Sequence, residues 1–171
     1  YPDDLTFGAG KRYSPYRGVF ELPWNSLGEY IFCLQENRNM VINAAFLTGH
    51  GSLRAHIGAD EKRELTGSEV KEMSYLLSEQ IDQGAIGLSL GFQYPPGCFS
   101  DAEEITPLAR IIRAKDLIVA SHIRNEGEAL IESLKEFISI GEATGAKLQI
   151  SHLKAMWEQN HHLVPEALEM I

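Results

Sequence analysis

The sequence predicts an α/β fold built from parallel (β/α) units, and two observations indicate it. Four short apolar runs alternate with stretches of helical periodicity along the 171 residues. The apolar runs are nearly continuous, which is typical of parallel strands that are covered by helices. Two architectures fit this pattern: an open doubly wound sheet, or part of a (β/α)8 barrel, which needs about 250 residues and eight strands when whole.

The first predicted elements are a helix over 25–37 and a buried strand over 41–47. The helix starts at Asn25 and ends near Asn37, and Ser26 and Glu29 inside it form a capping box. The strand, which begins at Val41, runs directly into a polar and glycine-rich segment. We therefore expect the first loop at the carboxyl edge of the sheet to follow this strand.

A second helix is predicted to begin at Thr66, where Glu69 completes another capping box, and to stop at Gly84. The next strand covers 85–90. It leads into a loop over 91–98 that is rich in aromatic, proline and glycine residues.

A third helix is predicted with Thr106 as its N-cap and Pro107 as its first residue, because proline is favoured at that position. It extends to about Ala114. Strands over 117–120 and 148–150 then flank a long helix over 128–143, which Gly145 caps. Pro165 marks the first turn of one further helix.

Two Ser-His pairs end the last two predicted strands, and each is followed by a cation two residues later. His122 precedes Arg124, and His152 precedes Lys154. Since a strand alternates its faces with a period of two, each His is expected to share a face with its cation. The histidines are thirty residues apart, which is the length of one strand-helix-strand unit. Parallel neighbours would bring both rings to the carboxyl edge of the sheet, where such folds keep their chemistry.

This spacing predicts a metal site formed by His122 and His152. Imidazole is the commonest protein ligand for metals, and it suits zinc, iron, nickel and copper alike. The alternative is that each histidine is a hydrogen-bonded structural residue, and the spacing alone leaves that alternative open.

Composition excludes several classes of partner. The formal charge is −9 and the isoelectric point is near 5.1, and no Lys/Arg cluster offers a surface for nucleic acid. No apolar stretch is long enough to span a membrane, and no signal peptide opens the chain. Cys33 and Cys98 do not make a disulfide framework, so a reducing compartment and a cytoplasmic location are expected.

Four ordered motifs resemble those of one known family. They are 49–54 (GHGSLR), 84–91 (GAIGLSLG) with 94–97 (YPPG), 121–126 (SHIRNE) and 150–154 (ISHLK). In order and spacing they are similar to the N-acyl-D-amino-acid deacylases (D-aminoacylases) of the amidohydrolase superfamily. The resemblance covers nearly all of the chain.

The resemblance implies a zinc-dependent hydrolase on a TIM barrel that cleaves the amide of a small-molecule N-acyl-D-amino acid. It implies that His122 and His152 are metal ligands at the ends of strands five and six. It also implies that Lys154 pairs with the substrate's α-carboxylate and that Tyr94 helps to hold the substrate. For His50, at the end of strand three, we expect a structural hydrogen bond.

Other parts of the family's site are not found in this sequence. The His-x-His of strand one and the Cys ligand of strand two are expected upstream of Tyr1. The general-base Asp and a carboxylate-binding Arg are expected beyond Ile171, which leaves no catalytic base within the chain. Residues 1–171 are thus expected to be a single partial domain, the central part of the barrel with strands three to six, and inactive alone. Its open sheet edges predict a homo-oligomer.

Two other functions remain open at this point. One is a different amidohydrolase that acts on cyclic amides, like a dihydroorotase or hydantoinase, because fold and paired histidines are widely shared. The other is a non-catalytic half-barrel that binds metal weakly and self-associates. The loop at 94–97 and the triplet at 152–154 favour the D-aminoacylase branch over the cyclic amidohydrolases.

Overall fold

The structure is a computed structural model that describes Trp24 and residues 26–36 and 42–171. The predicted helix ends at Asn25 and Asn37 and the predicted strand start at Val41 lie outside these residues. The described helices and strands, in chain order, are α1 (Leu27–Glu36), β1 (Phe46–Gly49), α2 (His50–His56), α3 (Gly67–Asp82), β2 (Ala85–Gly91), α4 (Ala102–Ala114), β3 (Ile118–His122), α5 (Leu130–Thr144), β4 (Lys147–Ile150) and α6 (Val164–Glu169), with 3₁₀ turns at Gly97–Phe99 and Glu158–Leu163.

The four described strands form one parallel sheet in the order β1-β2-β3-β4. Each strand is added beside the previous one in sequence. A doubly wound sheet instead reverses its strand order at a switch point, and the described strands contain no such reversal. The predicted α/β fold of parallel (β/α) units is confirmed, and the winding favours the barrel over the open sheet.

The core lies between this sheet and the helices α3, α4 and α5. Helix α4 packs on β2 and β3, and it is flanked by α3 on one side and α5 on the other. Apolar side chains of these elements exclude water from the contact. The fully buried members are Met73, Leu77, Leu88, Leu90, Ile105, Leu108, Ile112, Val119, Leu134 and Phe137.

The predicted start of α3 is confirmed in detail. The hydroxyl of Thr66 accepts a hydrogen bond from the Glu69 backbone N–H, and the Glu69 carboxylate accepts one from the Thr66 backbone N–H. Hydrogen bonds from Arg63 first, and then from Thr66, lower the pKa of Glu69 to about 2. The carboxylate therefore stays ionised at any ordinary pH, which keeps the cap intact.

The predicted start of α4 is wrong. The N-cap is Asp101 rather than Thr106, and its Oδ1 accepts from the Glu104 backbone N–H at 2.9 Å. Pro107 consequently lies inside the helix, where proline removes one backbone hydrogen bond. The cap and the burial of Glu104 and Ile105 in the added first turn outweigh that loss.

No helix in the described part of the chain is long and apolar enough to cross a membrane.

Gly87 of β2 offers a test of the sheet. A Cβ at this position would overlap the carbonyl oxygen of Ile118 in β3, whereas a Cβ at Gly91 in the same strand would meet nothing within 4 Å. We expect Gly87→Ala to lower the free energy of unfolding by about 1–3 kcal/mol, as overpacking does. Gly91→Ala should change it by less than about 0.5 kcal/mol. Urea denaturation of the two variants measures this, and equal stabilities would contradict the close approach of β2 to β3.

Candidate metal and substrate site

The parallel pairing of β3 and β4 brings His122 and His152 together. His122 is the last residue of β3, and the preceding Ser121 pairs with Ile150, the last residue of β4. Nδ1 of His122 and Nε2 of His152 are hydrogen-bonded to each other at 2.5 Å, with the ring centroids 4.2 Å apart. The thirty-residue spacing thus places both rings at the carboxyl edge of the sheet.

The path to His152 differs from the predicted alternation of faces. Strand β4 ends at Ile150, and His152 has a φ of +38°, a value that residues other than glycine seldom adopt. Backbone strain of this kind is concentrated at functional sites in proteins. His152 therefore reaches His122 from a turn after the strand.

The electrostatic surroundings keep His122 neutral. Burial is the largest cause that lowers the pKa of His122, and the neighbouring His152 is the second, while the Glu126 carboxylate opposes them. A neutral imidazole retains the ring-nitrogen lone pair that metal binding requires. His122 is therefore in the protonation state of a ligand near neutral pH.

Lys154 lies beside the histidine pair. Its Nζ donates to Oε2 of Glu126 at 2.5 Å and to Nδ1 of His152 at 3.1 Å. About half of its side chain is exposed, so its charge faces both the site and the solvent.

Tyr94 lies beside His122, in the loop after β2. The two ring centroids are 5.8 Å apart and the rings meet edge to face. The phenol is about half exposed. The structure thus collects all four predicted site residues, Tyr94, His122, His152 and Lys154, into one cluster.

Glu126 belongs to this cluster, and the sequence analysis missed it as a site residue. Its carboxylate is almost fully buried. Oε1 lies 2.8 Å from Nδ1 of His152 but completes no hydrogen bond there, while Oε2 binds Lys154. One signal in the sequence was the position of Glu126 in the loop that follows His122. The sequence also places Lys154 at this edge of the sheet, and a lysine there needs a carboxylate as its counter-ion.

Arg124 lies apart from the cluster. Its guanidinium forms an ion pair with Glu136 of α5 and donates to the backbone carbonyls of Cys98 and Ser100 at 2.7 and 2.9 Å. The hydrogen bond to Glu136 is the main cause that raises the pKa of Arg124. These contacts hold Arg124 to α5 and to the segment after β2 rather than to the histidine pair.

His50 has the structural role expected of it. It is fully buried, and its Nε2 lies 2.5 Å from the Glu104 carboxylate, which also binds the buried Arg54 at 2.7 Å. This network ties α2 to α4.

Cys33 and Cys98 are not joined by a disulfide.

Among residues 24, 26–36 and 42–171, no three His, Cys, Asp or Glu side chains come together as a set of metal ligands. The histidine pair is thus a two-ligand cluster, with a carboxylate and a cation behind His152 and an aromatic ring beside His122. Such a cluster can bind a metal through imidazole nitrogens and an anion through Lys154.

No protein-family model matches the chain, but individual relatives do. The chain is 38% identical over 130 residues to a D-aminoacylase of Alcaligenes xylosoxydans xylosoxydans, a match that covers 76% of this chain and 27% of the relative. It is 35% identical over 131 residues to an N-acyl-D-glutamate deacylase of the same organism, covering 77% and 27%. The chain therefore spans about a quarter of the length of the curated relatives it matches.

Solved structures give the same result. The N-acyl-D-glutamate deacylase of Bordetella bronchiseptica, complexed with zinc and a phosphonate inhibitor, matches 88% of this chain and 32% of its own, with a TM-score of 0.82 and 33% identity. A D-aminoacylase described as defining a novel subset of amidohydrolases matches 85% and 31%, with a TM-score of 0.80 and 34% identity. The predicted resemblance is confirmed: over part of their length, this chain is a relative of the D-aminoacylase family of amidohydrolases.

Proposed function

We propose that the protein containing this chain is a zinc-dependent hydrolase that removes the acyl group from N-acyl-D-amino acids. One observation carries the proposal: ring nitrogens of His122 and His152 converge to 2.5 Å at the carboxyl edge of a parallel sheet. The relatives support the substrate class by their names. One solved neighbour holds zinc, and another is described by its binuclear metal centre.

The histidine pair fits a divalent metal by its chemistry. His122 is neutral at pH 7, and Nδ1 of His122 faces Nε2 of His152 directly. The two rings would hold zinc through these nitrogens, since imidazole is an ordinary zinc ligand. A bound zinc ion would act as a Lewis acid on the amide carbonyl.

Lys154 and Tyr94 are proposed to hold the substrate. In an N-acyl amino acid, only the α-carbon separates the carboxylate from the amide nitrogen. A cation close to a metal ligand is therefore well placed to bind the carboxylate while the amide lies at the metal, and Lys154 Nζ is 3.1 Å from the His152 ring. Tyr94, half exposed beside His122, contributes a wall to the same space.

Residues 1–171 alone are proposed to be a single partial domain that does not turn over substrate. A catalytic zinc normally has three protein ligands and a water, whereas the described part of the chain brings together two imidazoles. We also propose a cytoplasmic location, because Cys98 forms no disulfide and disulfides are favoured in oxidising compartments.

The chain should bind zinc weakly through the two histidines. We expect the double variant His122→Ala/His152→Ala to lose at least about tenfold in zinc affinity, because both imidazole ligands of the proposed site are removed. Titration against a fluorescent chelator measures the affinity. A matched control, His161→Ala/His162→Ala, removes two exposed imidazoles from the 3₁₀ turn at Glu158–Leu163 and should leave the affinity unchanged. Equal affinity in the wild type and the first double variant would remove the proposed metal site.

Activity of the whole protein tests the proposed reaction. We expect zinc-dependent release of free D-amino acid from N-acetyl-D-amino acids, and no release by the 171-residue chain alone. Replacing Lys154 by Met should raise KM about 10- to 100-fold, which corresponds to the loss of one hydrogen bond to a charged group. Chromatography of the released amino acid provides the rates.

Two controls separate substrate binding from stability. With an N-acetyl-D-amino-acid amide, which lacks the carboxylate, Lys154→Met should leave KM unchanged. Arg124→Met should lower the free energy of unfolding by about 2 kcal/mol, because two backbone carbonyls lose their donor, and KM should not change. If KM changes in Arg124→Met and not in Lys154→Met, then Arg124 is the substrate-binding residue and Lys154 the structural one.

Self-association is also proposed for this chain. Among the described strands, β1 and β4 each have one neighbour, and unpaired strand edges are templates for pairing with another chain. We expect a homodimer or small oligomer, because the net charge of −9 opposes indefinite growth. Light scattering over a wide range of concentration measures the mass, and a monomer throughout would contradict the proposal.

A further inference from the structure

Trp157 is an aromatic residue in the loop that follows β4, three residues after Lys154. It is 62% exposed, although an indole is among the largest apolar groups in a protein. We propose that Trp157 is a specificity-determining residue whose ring receives the side chain of the N-acyl-D-amino acid, so that apolar and aromatic side chains are favoured. This inference rests on the proposed function, because it concerns the side chain of that substrate.

The surrounding loops hold the backbone of Trp157 in an unfavourable conformation. Its φ is +65° and its ψ is 142°, a combination that residues other than glycine adopt only where their surroundings enforce it. The Met156 N–H donates to the Glu126 carbonyl at 2.6 Å. The buried Asn160 donates from its side chain to the Met156 carbonyl at 2.7 Å and from its backbone to the Trp157 carbonyl at 3.0 Å. These three hydrogen bonds fix the backbone from which the indole projects.

The ring of Trp157 packs on the loop after β3, at Gly127. A Cβ on Gly127 would lie 2.7 Å from Cζ3 and 3.2 Å from Cε3 of the indole, so the absence of a side chain there lets the ring approach the backbone. Asn125 fixes this part of the loop, because its Oδ1 accepts from the Gly127 and Ala129 N–H groups at 2.7 and 3.2 Å. One edge of the ring is thus held by the protein, while more than half of the residue stays accessible to a ligand.

A series of contacts places Trp157 at the Lys154 end of the candidate site. Lys154 donates to Nδ1 of His152 on one side and to the Glu126 carboxylate on the other. Gly127, on which the indole packs, directly follows Glu126 in the chain. Outward from the proposed metal site, the order is therefore the histidine pair, the carboxylate-binding lysine and the indole.

The substrate presents its groups in an arrangement that fits this order. The α-carbon of an N-acyl amino acid carries the amide nitrogen, the carboxylate and the side chain. With the amide at the histidine pair and the carboxylate at Lys154, the side chain projects from a point beside the lysine, within reach of Trp157. An exposed indole gains most from contact with an apolar or aromatic group. An acidic side chain would instead lie near the Glu126 carboxylate, which repels it.

Substitution of Trp157 in the whole protein tests this role. We expect Trp157→Ala to lower kcat/KM for N-acetyl-D-phenylalanine by about tenfold or more, because the aromatic contact is lost. The value for N-acetylglycine, which has no side chain, should not change. Trp157→Phe keeps an aromatic ring and should lower the ratio of the two values by less. Tyr75→Ala, which removes an aromatic residue of α3 that is 68% exposed, is the matched control and should change neither value.

Two results would overturn the proposal. One is a ratio of N-acetyl-D-phenylalanine to N-acetylglycine that is the same in the wild type and in Trp157→Ala. The other is a wild type that prefers N-acetyl-D-glutamate to N-acetyl-D-phenylalanine. If Trp157→Ala loses both activities because it does not fold, the ratio in Trp157→Phe decides, and a ratio equal to that of the wild type overturns the proposal.

A binding measurement separates this inference from the proposed function. If the whole protein hydrolyses no N-acetyl amino acid, the proposed function fails, and isothermal titration with the same two compounds decides the role of Trp157. A Kd for N-acetyl-D-phenylalanine that rises in Trp157→Ala, with the Kd for N-acetylglycine unchanged, supports the role. An unchanged Kd for N-acetyl-D-phenylalanine, or no binding of it by the wild type, overturns it.

Discussion

The parallel pairing of β3 with β4, from Ile118 opposite Lys147 to Ser121 opposite Ile150, sets the position of the whole candidate site. Because the strands run in the same direction and end at the same level, the residues that follow them meet at one edge of the sheet. Helix α5 packs on α4 and β4, and it supplies half of the thirty residues that connect the two histidines. A register shift of one residue in β3 would turn the His122 ring to the opposite face of the sheet.

Arg124 and Lys154 each follow a histidine by two residues, yet they bind different partners. The burial and chemistry of those partners explain the difference. Lys154 is held by the buried Glu126 at the edge of the histidine pair. Arg124 binds Glu136 and two backbone carbonyls, and it packs over the ring of Phe92. The planar guanidinium with its several donors suits a fixed structural junction, whereas the single ammonium group of lysine can turn toward a ligand.

Local patterns in the sequence were enough to predict the features that depend on neighbours in the chain. The capping box at Thr66 and the glycine cap at Gly145, which has a φ of +70°, were predicted for that reason. The convergence of the two histidines was predicted instead from their thirty-residue spacing, which is the length of one strand-helix-strand unit. The start of α4 was wrong because the signal of Pro107 was given more weight than the cap at Asp101. The partners of Arg124 and the burial of Glu126 depend on how loops pack across the sheet, which periodicity does not encode.

The most direct test of the account is an anomalous-scattering map of crystals grown with zinc, recorded at the zinc absorption edge. The account predicts a peak that lies about 2.0–2.1 Å from Nδ1 of His122 and from Nε2 of His152, the normal distance for zinc and imidazole. A map with zinc elsewhere, and with the two rings still hydrogen-bonded to each other, would contradict it.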